Sequence, residues 1–339
     1  VKVIELVSNH LVKTTEKDIP VIGEKDVLIK TEYTGICGSD IHAFNGMHPF
    51  RKPPVVLGHE VSGIVHEVGR EVTTCKKGDR VTVLPAISCG SCEPCRDGKE
   101  NICINKTVPG TNSWIGTFSE YFLTHESTVF ILHPNISLKG GVLAEPLAVS
   151  VHAAEIGNVT KDSKVLVLGA GTIGLFTGIA TSYRNAKELI FTDVFEANLN
   201  QAKKICACKT FNVGKPDVRN SLIQEYDKHF DVVFVCNNSK ESLNDAIKMT
   251  KGGGRIVVIG MFTTPPEVNI LELTLREIQI VGSQIYTKRD FNETLSLLRS
   301  NIVDVDTIVS HVFSPDEAQK AFNLIINRTE PIVKVVFKY

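Results

Sequence analysis

KVLVLGAGTIGLFTGIATSYR, residues 164 to 184, runs from a continuous apolar strand through a glycine turn into a helix-length segment. An unbroken apolar strand is buried on both faces, which predicts a parallel sheet covered by helices. Gly169, Gly171 and Gly174 hold the G-x-G-x-x-G spacing, with Thr172 and Ile173 between the last two. A strand before and a helix after give that spacing meaning as a dinucleotide fingerprint. The first glycine permits a tight turn, the second lets a pyrophosphate approach the backbone, and the third lets helix and strand pack closely. The phosphates then meet unpaired N–H groups at the positive end of the helix. Asp193 ends the next strand, ELIFTD. A carboxylate there binds adenosine ribose hydroxyls and repels a 2′-phosphate, so NAD is expected over NADP. Two other readings stand beside this one: a glycine turn that serves another ligand or none, and Asp193 as a helix cap.

Outward from this stretch the alternation continues. ANLNQAKKICA (197 to 207) and SLNDAIKMT (242 to 250) read as helices, and FDVVFVC (230 to 236), RIVVIG (255 to 260) and IQIVGS (278 to 283) as strands. Towards the N-terminus the grammar differs. VLIKTEY (27 to 33), EVSGIVHEVG (60 to 69) and RVTVLP (80 to 85) are short strand-like runs between Gly and Pro punctuation. The fold class is therefore α/β, a β-rich domain joined to a doubly wound parallel sheet. After two helical segments near 289 to 299 and 315 to 326, the strand IVKVVF (332 to 337) has no helix following it. It is expected to return to the β-rich domain, dividing the chain into 1–148 with 286–339, and 149–285.

A chain of 339 residues exceeds the ~250–300 at which one core stops growing, which also favours two domains. The net charge of −1 argues against a nucleic-acid or membrane partner and for a small-molecule substrate. No apolar run approaches a membrane span, and no charged and apolar leader opens the sequence, so a cytoplasmic protein is expected.

CGSCEPCRDGKENIC places Cys89, Cys92, Cys95 and Cys103 in one lobe, 89 to 103. Four thiolates on so short a loop surround one Zn2+ and leave no position for water, the mark of a structural metal. The ferredoxin pattern brings its fourth cysteine after three residues and before a proline, which this lobe does not. Disulfides fit neither the compartment nor the scatter of the nine cysteines. Cys75, Cys206, Cys208 and Cys236 read as small buried apolar residues.

Cys37 in GICGSDIH, and His59 with Glu60 in LGHE, could hold a second zinc with an open position for substrate. Taken singly each has a plainer reading, a core cysteine, a loop histidine and a solvated acid. Spacing alone does not join them. The succession GICGSDIH, VVLGHEVSGIVHEVG, GDRV, the cysteine lobe, TFSEYF, EPLAVSVHA and GAGTIG does, because it resembles the zinc-dependent medium-chain alcohol dehydrogenases end to end. Within them Glu145 in AEPLAV resembles the polyol branch, which includes sorbitol, butanediol, threonine and galactitol-phosphate dehydrogenases.

The resemblance implies a GroES-like catalytic domain and a Rossmann domain. It implies Cys37, His59 and Glu60 as catalytic zinc ligands, with Glu145 binding directly or through a water. Ser39 then takes the substrate proton, His42 relays it, Asp40 supports the ligands, and Ser39, Glu145 and Tyr286 meet the substrate. Ile173, Asp193, the backbone of Ile259, Gly260 and Met261, and Ser283, Gln284 and Ile285 correspond to NAD contacts. A homo-oligomer is implied, tetramer before dimer, with 255 to 260 and 278 to 283 as candidate interface segments. Two departures stand out: Ile285-Tyr286 replaces an Arg-Tyr pair of sorbitol dehydrogenases, and Asn198 replaces a basic residue. The first weakens sorbitol itself as the substrate.

The expected activity is reversible oxidation of a secondary hydroxyl of a polyol, sugar alcohol or sugar acid, with two zinc ions per subunit. The alternatives are a threonine, amino-alcohol or phosphorylated-polyol dehydrogenase, and a non-catalytic nucleotide sensor. The loop His48-Pro-Phe-Arg51-Lys52 could meet a substrate carboxylate or phosphate, although a solvated basic loop is the plainer expectation. Phe44, Phe50, Trp114 and Phe118 are further aromatic candidates for a substrate pocket, or simply core.

Overall fold

The computed structural model describes residues 1–111, 114–262 and 264–339. The chain forms two compact units, Val1–Glu145 with Thr287–Tyr339, and Pro146–Tyr286.

In the second unit, the described residues build a six-stranded parallel sheet. Its strands lie in the order Lys209–Asn212, Glu188–Asp193, Lys164–Leu168, Phe230–Val235, Thr250–Val258 and Gln279–Gly282. Numbered within the unit this is 3-2-1-4-5-6, the doubly wound order with a crevice where the winding reverses. Leu166, Leu168, Val233, Val235 and Ile256 pack with Leu222, Leu243 and Ile247 from the covering helices. The strand read at 255 to 260 begins earlier, because Thr250 pairs with Phe230 across a register shift.

The first unit is a β-rich body around a seven-stranded sheet. Strand Asp26–Gly35 lies at its heart, pairing with Glu60–Val68, with Tyr121–His125 and with the C-terminal strand Lys334–Lys338. The register of these pairings brings two charges distant in sequence together. Gly35 faces Glu60 on one side and Val336 on the other, so Glu60 and Lys334 come to the same end of the sheet. An N-terminal hairpin, Lys2–Ser8 with Leu11–Glu16, packs beside this sheet. Phe44 stacks on Phe322 at 5.0 Å and Phe118 meets Phe337 edge-on, so both aromatics belong to the core.

Helix Ala144–Ile156 was not expected from periodicity. Its sequence AEPLAVSVHAAEI is apolar nearly all round and almost wholly buried, so no 3.6-residue stripe marks it. Among the described residues no helix is long and apolar enough to cross a membrane.

Candidate active site

Cys37 caps the N-terminus of the short helix Gly38–Phe44, and Asp40 in its first turn accepts the Cys37 N–H at 2.9 Å. The other Asp40 oxygen accepts the Gly58 N–H at 3.2 Å and stands 3.9 Å from His59 Nδ1. One buried carboxylate thereby ties the Cys37 helix to the LGHE segment. As a result the ligand atoms of Cys37, His59 and Glu60 all lie within 4.8 Å of one another.

The chemistry of this cluster is unfinished within the protein. His59 Nδ1 and Glu60 Oε2 are buried without a hydrogen-bond partner among the described residues. Burial and the Glu60 charge push the Cys37 thiol up. A buried polar atom left unpaired is unfavourable, and a sulfur, an imidazole and a carboxylate converging on one point suit a zinc ion. Glu60 Oε1 is paired with Lys334, whose Nζ also donates to Ile36 O at 2.9 Å. Glu145, 5% exposed at the start of its helix, lies outside the three-residue cluster but adds to the charge acting on Lys334. Ser39 Oγ accepts from Arg51 Nη1 at 3.1 Å, and His42 stands three residues further along the same helix, a spacing that puts both on one face.

In the cysteine lobe the four sulfurs also lie within 4.8 Å of one another, and all are free thiols. Backbone N–H groups of Ser91 and Cys92 hold the Cys89 thiol down at about 5. Burial and the neighbouring sulfurs push Cys95 up to about 12. Thiols so crowded resist losing their protons together unless a cation draws them in, which is the donor set of a closed zinc site.

The glycine turn is built as a cradle. Gly169 has φ +101°, which an L side chain resists, and a Cβ on Gly174 would come 1.8 Å from Gly169 O. Above Gly171 a Cβ would meet nothing within 4 Å, leaving room for a phosphate. Asp193 accepts the Ala170 N–H at 2.7 Å and the Phe195 N–H at 2.8 Å, and Asn198 Nδ2 donates to it at 3.1 Å. The cap of the following helix is Phe195 rather than Asp193, so the capping alternative is set aside. Ile259 and Gly260 both donate to Val235 O, and Ser283 donates to Val258 O. These segments thus gather with the glycine turn at the C-terminal edge of the sheet, where ligands of such folds bind. Met261 is exposed there, while Ile285 takes a left-handed φ of +38°, a strained value for a β-branched residue.

Residues 23–134 match the alcohol dehydrogenase GroES-like domain, and residues 172–300 match the zinc-binding dehydrogenase family. Sorbitol dehydrogenase 1 of Saccharomyces cerevisiae is 34% identical over 95% of this chain and 93% of its own length. The chain belongs to the zinc-dependent medium-chain alcohol dehydrogenases. Within this dehydrogenase family it falls in the polyol branch, being also 35% identical to "Probable D-xylulose reductase A" of Aspergillus fumigatus over 92% of this chain and 90% of that protein. A crystal structure of an Escherichia coli CFT073 alcohol dehydrogenase with NADH superposes with a TM-score of 0.92, at 27% identity, over 100% of this chain and 99% of that one. The protein is thus an oxidoreductase of the alcohol dehydrogenase type.

Several sequence expectations for this dehydrogenase need correction. Arg51 is not part of a solvated loop: it is 6% exposed, whereas Phe50 is 60% exposed and Lys52 stands in solvent. Of the four cysteines outside the metal groups only Cys206 is fully buried, and Cys75, Cys208 and Cys236 are half-buried. Trp114 is partly buried, stacked on Phe122 and bonded to Leu123 O, a packing role. Lys334 was no candidate on sequence grounds. Its signal was present as a single charge inside the apolar run IVKVVF, since a buried lysine is rare unless it is paired.

Proposed function

We propose that the protein is an NAD-dependent dehydrogenase that reversibly oxidises a secondary hydroxyl of a polyol, sugar alcohol or sugar acid to the ketone. The observation that carries the reading is the convergence of Cys37, His59 and Glu60, with His59 Nδ1 and Glu60 Oε2 buried and, among the described residues, unpartnered. The polyol activities named for the yeast and Aspergillus relatives support the substrate class.

In this reading Cys37, His59 and Glu60 hold a catalytic zinc, with Glu145 binding directly or through a water, and Cys89, Cys92, Cys95 and Cys103 hold a structural one. When bound, the catalytic ion would supply Lewis acidity that lowers the pKa of an alcohol, and the nicotinamide would supply the hydride-accepting chemistry. Ser39 Oγ already accepts one hydrogen bond from Arg51, which leaves it a lone pair for the proton departing the substrate hydroxyl. Its own O–H then points onward, and His42 on the same helix face carries the proton outwards. Asp40 keeps Cys37 and His59 in register during this transfer. Gly169, Gly171, Thr172, Ile173 and Gly174 seat the pyrophosphate. Asp193 favours NAD over NADP by binding the ribose hydroxyls, with Ile259 to Met261 and Ser283 to Ile285 completing the cofactor contacts. A homo-oligomer, tetramer before dimer, and a cytoplasmic location belong to the same reading.

Purified protein given NAD+ and a polyol panel is expected to form NADH, and the Cys37→Ala, His59→Ala double variant to form none. Undiminished turnover by that variant, or by protein free of transition metal, overturns the mechanism.

A further inference from the structure

Arg51 is 6% exposed. An ionised guanidinium out of water is normally stabilised by an opposite charge as well as by hydrogen bonds. Among the described residues no carboxylate pairs with it. Nη1 donates to Ser39 Oγ at 3.1 Å and Nη2 to Pro109 O at 3.0 Å, both neutral acceptors, and Nε is buried with no acceptor among the described residues. Asp40, the neighbour of Ser39, has its oxygens engaged by the N–H groups of Cys37 and Gly58. His48 brings no compensating charge. Its Nδ1 accepts the Arg51 backbone N–H at 3.1 Å and pins the loop from within. Gly110 closes the other side, where an added Cβ would come 3.2 Å from Arg51 Nε. The cation is therefore built into the unit and left short of an anion, while each Nη still carries a second N–H.

We propose that Arg51 receives an anionic group, a carboxylate or a phosphate, that the substrate bears close to its reacting carbinol. This rests on the dehydrogenase reading above and narrows it to sugar acids or polyol phosphates. Two features support it. The end of a guanidinium fork matches paired oxygens of a carboxylate or phosphate. The same fork is bonded to Ser39, the hydroxyl assigned to the substrate proton, so an anion on Arg51 lies beside the reacting centre.

The test assays tetritols, pentitols and hexitols with NAD+, each beside its aldonate and its terminal phosphate ester. Wild type is expected to favour one anionic series over the neutral polyols by about a hundredfold in kcat/KM, the order expected when a desolvated charge pair is made or lost. The favoured series identifies the anion. In Arg51→Gln that ratio collapses to within a few-fold, even if absolute rates also fall through Ser39. Arg51→Lys, which keeps the charge without the fork, recovers part of it and serves as the comparison should the glutamine variant not fold. The favoured acid also raises Tm of the wild type and not of Arg51→Gln. Equal kcat/KM for neutral and anionic members, or a preference that survives in both variants, overturns the proposal and leaves the dehydrogenase reading standing. No turnover of any member overturns the dehydrogenase reading itself.

Discussion

Lys334 and Glu60 form an ion pair with almost no access to water, at 3% and 0% side-chain exposure. Burial alone would lower the lysine's affinity for its proton, but the charges of Glu60 and Cys37 outweigh it and hold the ammonium above its ordinary value. Removing one member of such a pair leaves the other charged and unpaired, at a cost of ~3–5 kcal/mol. Lys334→Met should lose about that much stability in metal-free protein, and less in zinc-loaded protein, where the carboxylate has a second partner. Unfolding with and without zinc checks the difference. His48 behaves in the opposite sense to a histidine paired with an acid. Burial first, then the Arg51 charge, hold its imidazole at about 4, below the ordinary 6.5. Between those values the unfolded chain binds the proton that the fold refuses, so this contribution is fully present above pH 6.5 and is lost as pH falls towards 4. Melting temperatures measured across that window should decline in the wild type and decline less steeply in His48→Gln.

At the scale of elements, the turn between strand Lys164–Leu168 and helix Thr172–Tyr183 separates folding from binding. Gly174→Ala would drive a methyl to 1.8 Å from a carbonyl oxygen, so helix and strand must part, and a loss of several kcal/mol is expected, about 3 or more. Gly171→Ala meets open space at a φ of −73° that alanine accepts, so Tm should stay within the shift of about 1 kcal/mol. Its methyl nevertheless fills the phosphate cradle. NADH affinity, read by fluorescence titration, should fall at least about tenfold, equivalent to ~1.4 kcal/mol. Unchanged affinity would move the cofactor away from this turn. Elements with period and punctuation were legible in the sequence, as five of the six parallel strands were; the short edge strand Lys209–Asn212, with no fully buried residue, was not. The helix Ala144–Ile156 was not, because a helix buried on every side has no polar face to betray its period.

For the whole molecule, the cysteine lobe and the glycine turn belong to different compact units. Cys103→Ser should therefore remove about one zinc per chain by elemental analysis and lower Tm by roughly 5 °C or more, since binding free energy at a closed site is folding free energy. NADH binding to the other unit should be unaffected. Both sites could be read directly from the sequence because their donors sit within a few residues of one another, where chain geometry alone enforces proximity. The alternation of strands and helices in the nucleotide unit was likewise legible, whereas the order of the strands across the sheet was decided by the fold. The cluster of Cys37, His59 and Glu60 was joined beforehand only by resemblance, since its members come from separate segments. Only the tertiary structure decided that Arg51 is buried without a counter-ion among the described residues and that Lys334 reaches Glu60. Their environments arise from sheet register and from loops closing over one another, and burial is a property of the assembled surface that no local stretch of residues encodes.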